Sequence, residues 1–225
     1  MEAFKISSRL NELNSTYPDA TTIDKISKEG SEDDRIAISR LWLSEGIPYV
    51  FKDYPGLYET IRTWLASRLD IHAKDISITG SARLGSSLNP KQLGKRFNED
   101  SDLDFFIISE KIFNNLKTDF NKWSSDYEEN LIIPSSTEEK YWKENLTRGI
   151  KLFDRGFFDP HLIPNRNSYP QVQNISQTMY LLKGKLEKTI NAPKISKVSI
   201  RCYKNWSDYV RQVSINLFNS QYFSN

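Results

Sequence analysis

Two aspartates separated by one residue, Asp102 and Asp104, stand directly before an apolar run at residues 105–108. Because side chains alternate faces along an extended strand, both carboxylates would project from the same side. Two anions this close raise each other's pKa unless a cation lies between them, and hard oxygen ligands favour Mg²⁺ or Mn²⁺. The spacing therefore predicts a divalent metal site at the mouth of a strand buried on both faces.

A Gly-Ser pair lies upstream of the aspartates. Gly80 and Ser81 follow residues 75–79, where isoleucine alternates with polar residues as in a half-buried strand. Without a Cβ, Gly80 allows backbone angles that other residues avoid and lets a phosphate approach closely. Ser81 offers a hydroxyl and an amide N–H, and Arg83 adds a cation nearby. The turn is thus a candidate phosphate-binding element.

Taken in order, Gly80-Ser81 and the Asp102/Asp104 pair resemble the signature of the DNA polymerase β-like nucleotidyltransferase superfamily, over roughly residues 75–109. That signature is a strand, a Gly-Ser turn and an Asp-x-Asp pair that opens the next strand. The resemblance implies two-metal transfer of a nucleoside monophosphate from an NTP to an acceptor hydroxyl, with release of pyrophosphate. It assigns Asp102 and Asp104 to catalysis and metal binding, and Gly80 and Ser81 to the nucleotide, with the nearby Arg83 as a further candidate for nucleotide binding.

The segment between Ser81 and Asp102 is longer than in compact versions of the motif and is rich in turn-forming residues. It carries Lys91, Lys95 and Arg96. These cations would either fold over the nucleotide phosphates or lie on a solvated loop, and the sequence leaves both readings open.

Active members of the superfamily carry a third carboxylate on a neighbouring strand. A strand is predicted at residues 197–203, with Ser199 and Arg201 on its polar face, but it contains no acid. Asp154 and Asp159 are the remaining candidates, and nothing local chooses between them. Two hypotheses follow: a nucleotidyltransferase enzyme, or a catalytically silent nucleotidyltransferase-fold protein that senses nucleotide or regulates a partner.

Two further classes of protein share parts of this pattern. The Asp-x-Asp motif of nucleotide-sugar glycosyltransferases also chelates Mn²⁺, but there the hydrophobic strand precedes the acids, whereas here residues 105–108 follow them. A structural interaction protein that uses its aromatic surface would bind no nucleotide. For the enzyme, ATP is the first choice of NTP, and the acceptor is a protein hydroxyl, an RNA 3′ end or a nucleotide. By resemblance, small members of the superfamily often serve in toxin–antitoxin or phage-defence modules.

Composition sets the remaining limits. The chain has 225 residues, of which 38% are hydrophobic and 27% charged, which is typical of a globular protein. A formal charge of only +2 means that any contact with nucleic acid must be a local patch. No apolar run approaches the ~18 residues of a membrane span. Cys202, the single cysteine, excludes an internal disulfide, and His72 and His161 are too far apart to suggest a metal site. We therefore expect a cytoplasmic protein without a membrane partner.

The fold class predicted is α/β (α+β): a nucleotidyltransferase-type mixed β-sheet core with helices packed on it and helical extensions at both ends. Residues 1–54 are predicted as an N-terminal helical extension, 55–160 as the core, and 161–225 as a linker, helices and a strand that completes the core.

Periodicity and capping signals predict the individual elements. Residues 14–31 and 159–173 are predicted as polar connections. Lysines on the helix before the last strand would be solvated or would reach the triphosphate. The predicted helices are 4–13, 33–43, 56–69, 110–123, a capped helix from about 135 to 153, 175–188 and 207–218; the predicted strands are 75–79, 105–108 and 197–203.

Overall fold

The computed structural model describes residue 3 and residues 6–219. Within these residues the chain forms eight α-helices and a four-stranded mixed sheet, so the predicted α+β class is confirmed. The elements in chain order are α1 Ala20–Glu29, α2 Glu32–Leu41, α3 Pro55–Leu69, β1 Ile76–Thr79, α4 Ser81–Leu84, β2 Leu103–Ile108, α5 Glu110–Glu128, α6 Ser136–Asp154, β3 Phe157–Phe158, α7 Pro170–Lys188, β4 Val198–Tyr203 and α8 Trp206–Asn219.

The strands are arranged in the order β1-β2-β4-β3. β2 pairs antiparallel with β1 and parallel with β4, while β3 pairs antiparallel with β4. In this register Asp104 lies opposite Thr79 on β1 and opposite Ser199 on β4. Because β2 and β4 run parallel, both strands begin at the same edge of the sheet, and the first polar residues of each strand are neighbours there.

Helices cover both faces of the sheet. On one face, the ring of Tyr209 in α8 stacks on Phe106 of β2, with 4.3 Å between ring centroids. On the other face, Phe120 of α5 contacts Phe158 of β3, and α7 packs against α5 and β4. Phe105 and Phe106, which point to opposite faces, are therefore both almost fully buried. The prediction of a strand buried on both sides is confirmed.

The capping signal at residue 135 is also confirmed. The backbone N–H of Ser135 donates to the carboxylate of Glu138 at 2.9 Å, and the N–H of Glu138 donates to the Ser135 hydroxyl at 3.4 Å. These reciprocal bonds satisfy two donors that the first turn of a helix would otherwise leave free. They fix the start of α6, which ends at Asp154, as predicted to within one residue.

Two predictions about the N-terminal part are wrong. Residues 14–31 are not a polar connection, because α1 lies within them: the Asp19 carboxylate caps its first turn, and Ile23 and Ile26 are buried. The helix predicted at 4–13 reduces, in its described part, to a 3₁₀ turn at Leu10–Glu12. Residues 4 and 5 of that prediction lie outside the described residues.

A smaller correction concerns α7, which begins at Pro170 rather than at Ile175. Proline suits the first turn of a helix because its missing N–H would have no partner there. Among the residues that the structure describes, no helix combines the length and apolarity needed to cross a bilayer.

Candidate functional site

The turn after β1 brings the two predicted motifs together. Gly80 has φ of +70°, a conformation that glycine adopts without steric cost. A Cβ placed on Gly80 would lie 3.7 Å from Oδ2 of Asp104. At the far end of α4, Gly85 has φ of +87°, and a Cβ there would lie 2.8 Å from Cγ of Tyr49. The short helix is thus held at both ends by glycines, and its first glycine faces the aspartate.

Asp104 is the best-defined acid of the site. It is partly buried within β2, and the hydroxyl of Ser199 donates a hydrogen bond to its Oδ1. Burial raises the pKa of Asp104, the hydrogen bond from Ser199 partly offsets this, and the charge of Asp102 raises the pKa further. The environment of Asp104 therefore disfavours its charged form unless positive charge is supplied.

Asp102 immediately precedes β2 and is exposed, while Leu103 between the two aspartates is fully buried. The charge of Asp102 is one of the causes that raise the pKa of Asp104. The alternation predicted from the Asp-x-Asp spacing agrees with this arrangement. Gly80, Asp102 and Asp104 are thus gathered at one edge of the sheet.

Gly80 and Asp104 open onto a cleft of about 670 Å³, whereas the exposed Asp102 is not among the residues that line it. It is lined by Thr79, Gly80 and Asp104 from β1, β2 and the turn between them, and by Ser199, Arg201 and Asp159 from β4 and the end of β3. The volume falls within the range of small-molecule and cofactor sites. The sheet edge at which β2 and β4 begin therefore carries a pocket rather than a flat surface.

Of the two candidates for a third acid, only Asp159 reaches this cleft. It follows β3 and is buried, whereas Asp154 is exposed at the end of α6 and does not line the cleft. The carboxylate of Asp159 is already paired. Arg201 donates to it from Nε at 2.6 Å and from Nη2 at 2.9 Å, and Nη2 of Arg148 lies 3.9 Å away.

The Arg201 pairing is bidentate, the strongest geometry for an arginine–carboxylate contact. Burial alone would lower the pKa of Arg201, but the hydrogen bonds with Asp159 raise it above its ordinary value. The guanidinium also lies over the ring of Phe157, 4.9 Å from its centroid. Asp159 and Arg201 therefore form a bidentate ion pair in the wall of the cleft.

Arg83 does not join the other predicted nucleotide-binding residues. Its side chain is buried and donates from Nε to the carbonyl of Trp42 at 3.0 Å and from Nη1 to the carbonyl of Gly46 at 2.8 Å. Burial lowers the pKa of Arg83. Its guanidinium holds the segment after α2, away from the cleft. Ser81 is half-buried next to Gly80 at the first position of α4, but it too is not among the residues that line the cleft.

The inserted segment folds back on itself. Ser86 and Arg96 form an isolated antiparallel bridge, and the N–H of Ser87 donates to the carbonyl of Lys95 at 2.9 Å. The tip of this hairpin, including Asn89 and Pro90, forms part of the cleft wall. Lys91, beside that tip, is exposed.

Two lysines of α7 make contacts away from the cleft. Lys183 donates to the carbonyl of Ser196 at 2.8 Å, and Nζ of Lys185 lies over the ring of Trp64 at 5.5 Å. Neither residue lines the cleft, so their solvated-face interpretation is the one that agrees with the structure.

The carboxylates of Asp102 and Asp104 are suitable ligands for Mg²⁺, which does not need a complete set of protein ligands. Within the described residues, no group of three or more His, Cys, Asp or Glu side chains is placed to hold a metal ion. Mg²⁺ is commonly bound through one or two carboxylates, with water and substrate phosphates as the remaining ligands. Asp102 and Asp104 fit that pattern, and they do not form a complete protein cage.

The residues that sequence reasoning left out of the site are Ser199 and Arg201. Strand alternation places them on one face of β4, but nothing in the sequence reveals that β4 is the parallel neighbour of β2. The chemical signal available was weak, since a serine and an arginine on a strand are usually solvated. Their role appears only once the register sets Ser199 beside Asp104.

Comparison of the chain with protein-family models, with curated proteins and with solved structures gives no match.

Proposed function

We propose that this protein is a metal-dependent nucleotidyltransferase that moves a nucleoside monophosphate from an NTP, with ATP as first choice, to an acceptor hydroxyl. The observation that carries the proposal is the approach of Gly80 to Asp104, where a Cβ would lie 3.7 Å from the carboxylate oxygen. A turn open to phosphate and a partly buried acid whose pKa is raised share one end of a cleft. This is the arrangement that a metal-bound triphosphate requires.

Each residue has a defined part in the proposed site. Asp102 and Asp104 would hold Mg²⁺ or Mn²⁺, which supplies positive charge to the phosphate oxygens. Ser199 orients the Asp104 carboxylate by its hydrogen bond. Gly80 lets the triphosphate approach the backbone, and Ser81 offers its hydroxyl and N–H. Arg83, a candidate because of its position near the turn, is omitted because its guanidinium is bound to backbone carbonyls.

In the proposed reaction, an acceptor oxygen forms a bond to the α-phosphorus while the bond from that phosphorus to the bridging oxygen of the β-phosphate breaks. Pyrophosphate leaves, and the hydroxyl proton passes to solvent. Asp159 is not assigned the proton, because its two oxygens accept from Arg201. A role in a toxin–antitoxin or phage-defence module, suggested by the resemblance alone, remains part of this proposal.

The test is incubation of the protein with Mg²⁺, α-³²P-labelled NTPs and candidate acceptors, which are RNA, protein and free nucleotide. We expect label transfer with stoichiometric pyrophosphate, and a loss of at least about 10²-fold in Asp102→Asn and Asp104→Asn, because these variants keep the side-chain shape and remove the charge. The matched control is Asp154→Asn, an exposed acid outside the cleft, which should retain activity. Transfer that survives both aspartate substitutions would exclude the assignment.

A second candidate function has its own observation. Ser199 stands beside Asp104 where a third carboxylate would be expected, and the nearby Asp159 is neutralised by Arg201. A catalytically silent protein that senses nucleotide or regulates a partner would have this composition. The same assay separates the two: a sensor binds Mg²⁺-NTP in a manner that depends on Asp102 and Asp104 but releases no pyrophosphate.

A further inference from the structure

Three cations share one face of α6 beside the cleft. Arg148 and Lys151 of α6 and Arg155, the residue that caps its end, follow one another at helical spacing, so their side chains lie on the same side of the helix. We call this set the α6 basic face. Arg155 lines the cleft, and Arg148 reaches within 3.9 Å of Asp159 in the cleft wall. The face therefore leads directly to the candidate site.

We propose that the α6 basic face binds the phosphodiester backbone of a single-stranded nucleic acid, whose 3′ end reaches the site as the acceptor. This inference rests on the proposed function, since it names the acceptor class for that site. It chooses a polynucleotide over a protein hydroxyl or a free nucleotide.

Charge is the first argument. Glu144 lies one turn before Arg148 and Asp154 lies directly before Arg155, so over residues 144–155 three cations outnumber two acids. Lys151 and Arg155 are exposed. The chain as a whole carries a formal charge of only +2, so this concentration of positive charge is local. Polyanion binding depends on such a patch rather than on the net charge.

Spacing is the second argument. Arg148 and Arg155 are about two helical turns apart, or roughly 10 Å along the axis. Successive phosphates of one nucleic-acid strand are closer together than this, so the face spans more than one phosphate. A free nucleotide, held at Gly80 and the aspartates, would leave most of the face unused.

An aromatic side chain at the far end of the face is the third argument. Tyr141 lies about two turns before Arg148 on the same side of α6 and is 53% exposed. Tyr141 and Arg148 line the same groove. Exposed aromatic rings next to cations stack bases of single strands, which acidic peptides do not offer. This combination favours a nucleic acid over an acidic protein.

The test uses a fluorescein-labelled ten-nucleotide RNA and the full chain in EDTA without NTP, followed by fluorescence anisotropy across a salt series. With three phosphate contacts we expect a slope of log K against log[NaCl] near −2. The Lys151→Ala/Arg155→Ala variant changes only exposed side chains and should lower the slope magnitude by about 1.4. Tyr141→Ala should weaken binding by about fivefold or more.

The matched control is Lys117→Ala/Arg40→Ala, which removes the same charge from exposed positions of α5 and α2. It should leave the slope unchanged. Absence of RNA binding, equal effects of control and test variants, or equally effective competition by a decaglutamate peptide would each overturn the proposal.

Failure of this inference is distinguishable from failure of the proposed function. Asp104→Asn should abolish label transfer but not metal-free RNA binding. RNA binding through α6 without any transfer would reject the enzyme and keep the surface, although not its role as an acceptor site. Transfer to another acceptor by a protein that does not bind RNA would reject the surface and keep the enzyme.

Discussion

Two carboxylates that line the cleft, Asp159 and Asp104, have opposite electrostatic surroundings. On the β4 side, Asp159 is buried and receives two hydrogen bonds from Arg201. On the β2 side, Asp104 receives one hydrogen bond from a neutral serine and lies close to another acid, Asp102. The first acid contributes to the fold. The pKa of the second acid is raised, so its ionised form costs stability, and the proposed metal would offset that cost.

Breaking the Asp159–Arg201 ion pair should have the largest effect on stability. Arg201→Ala leaves the Asp159 carboxylate buried without its main partner, and we expect a loss of about 3 kcal/mol in the free energy of unfolding. Urea denaturation measures it. The control is the double variant Arg201→Met/Asp159→Leu, which removes both charges and should recover most of the loss. Equal instability of single and double variants would show that the pair does not act as a unit.

Substitution of Arg83, another buried charge, shows whether this residue stabilises the fold or binds the nucleotide. Arg83→Met replaces the arginine with a long apolar side chain and leaves the carbonyls of Trp42 and Gly46 without their donors. We therefore expect about 2 kcal/mol of destabilisation. The affinity of the folded protein for Mg²⁺-ATP, measured by calorimetry, should not change. A selective loss of affinity with unchanged stability would restore the nucleotide role that the sequence suggested.

Ser199→Asp sharpens the contrast by adding a third carboxylate beside Asp104. Without metal we expect a loss of about 1 to 2 kcal/mol, because another like charge enters a partly buried site. Mg²⁺ should reverse this loss, and half-saturation should occur at about tenfold lower Mg²⁺ than in the unmodified protein. Ser199→Asn has the same shape without the charge and is the matched control. Mg²⁺ that stabilises both variants equally would argue against a metal site here.

The smallest effect should come from Asp104→Asn in EDTA. This change removes a charge that the site disfavours, so the variant should be more stable by on the order of 1 kcal/mol. The pKa of Asp104 is raised in the folded state, so its ionisation costs stability as pH rises above the ordinary aspartate value of about 3.9. The difference between variant and wild type should therefore grow from pH 4 upward and then level off. Thermal unfolding across pH 4–8 measures it.

Local patterns were enough to predict the secondary structure around the motifs. Alternating isoleucines gave β1, the apolar run after Asp104 gave β2, and the Ser135–Glu138 pair gave the start of α6. These signals depend on neighbours in sequence, so tertiary packing was not needed to read them. The helix α1 was missed because polar residues dominate its segment, although Asp19 as a cap and the spacing of Ile23 and Ile26 were available.

The site could be predicted only in part, for a different reason. Gly80 and the Asp102/Asp104 pair are connected by the short helix α4 and a hairpin, so their meeting followed from the order of elements. The contact of Ser199 with Asp104 and the pairing of Arg201 with Asp159 join residues far apart in sequence. Only the strand order brings them together. The burial of Arg83 likewise depends on the segment after α2, which no local pattern places beside α4.

The central position of β4 has a consequence for protein synthesis. β4 lies between β2 and β3, yet it is the last strand of the described residues to be made, and it supplies the only side chain among them that is seen to hydrogen-bond to Asp104. A nascent chain on the ribosome therefore lacks the middle of its sheet until translation has passed Tyr203. Until then Asp104 lacks its neighbour Ser199, so a product that ends before β4 should lack the complete candidate site.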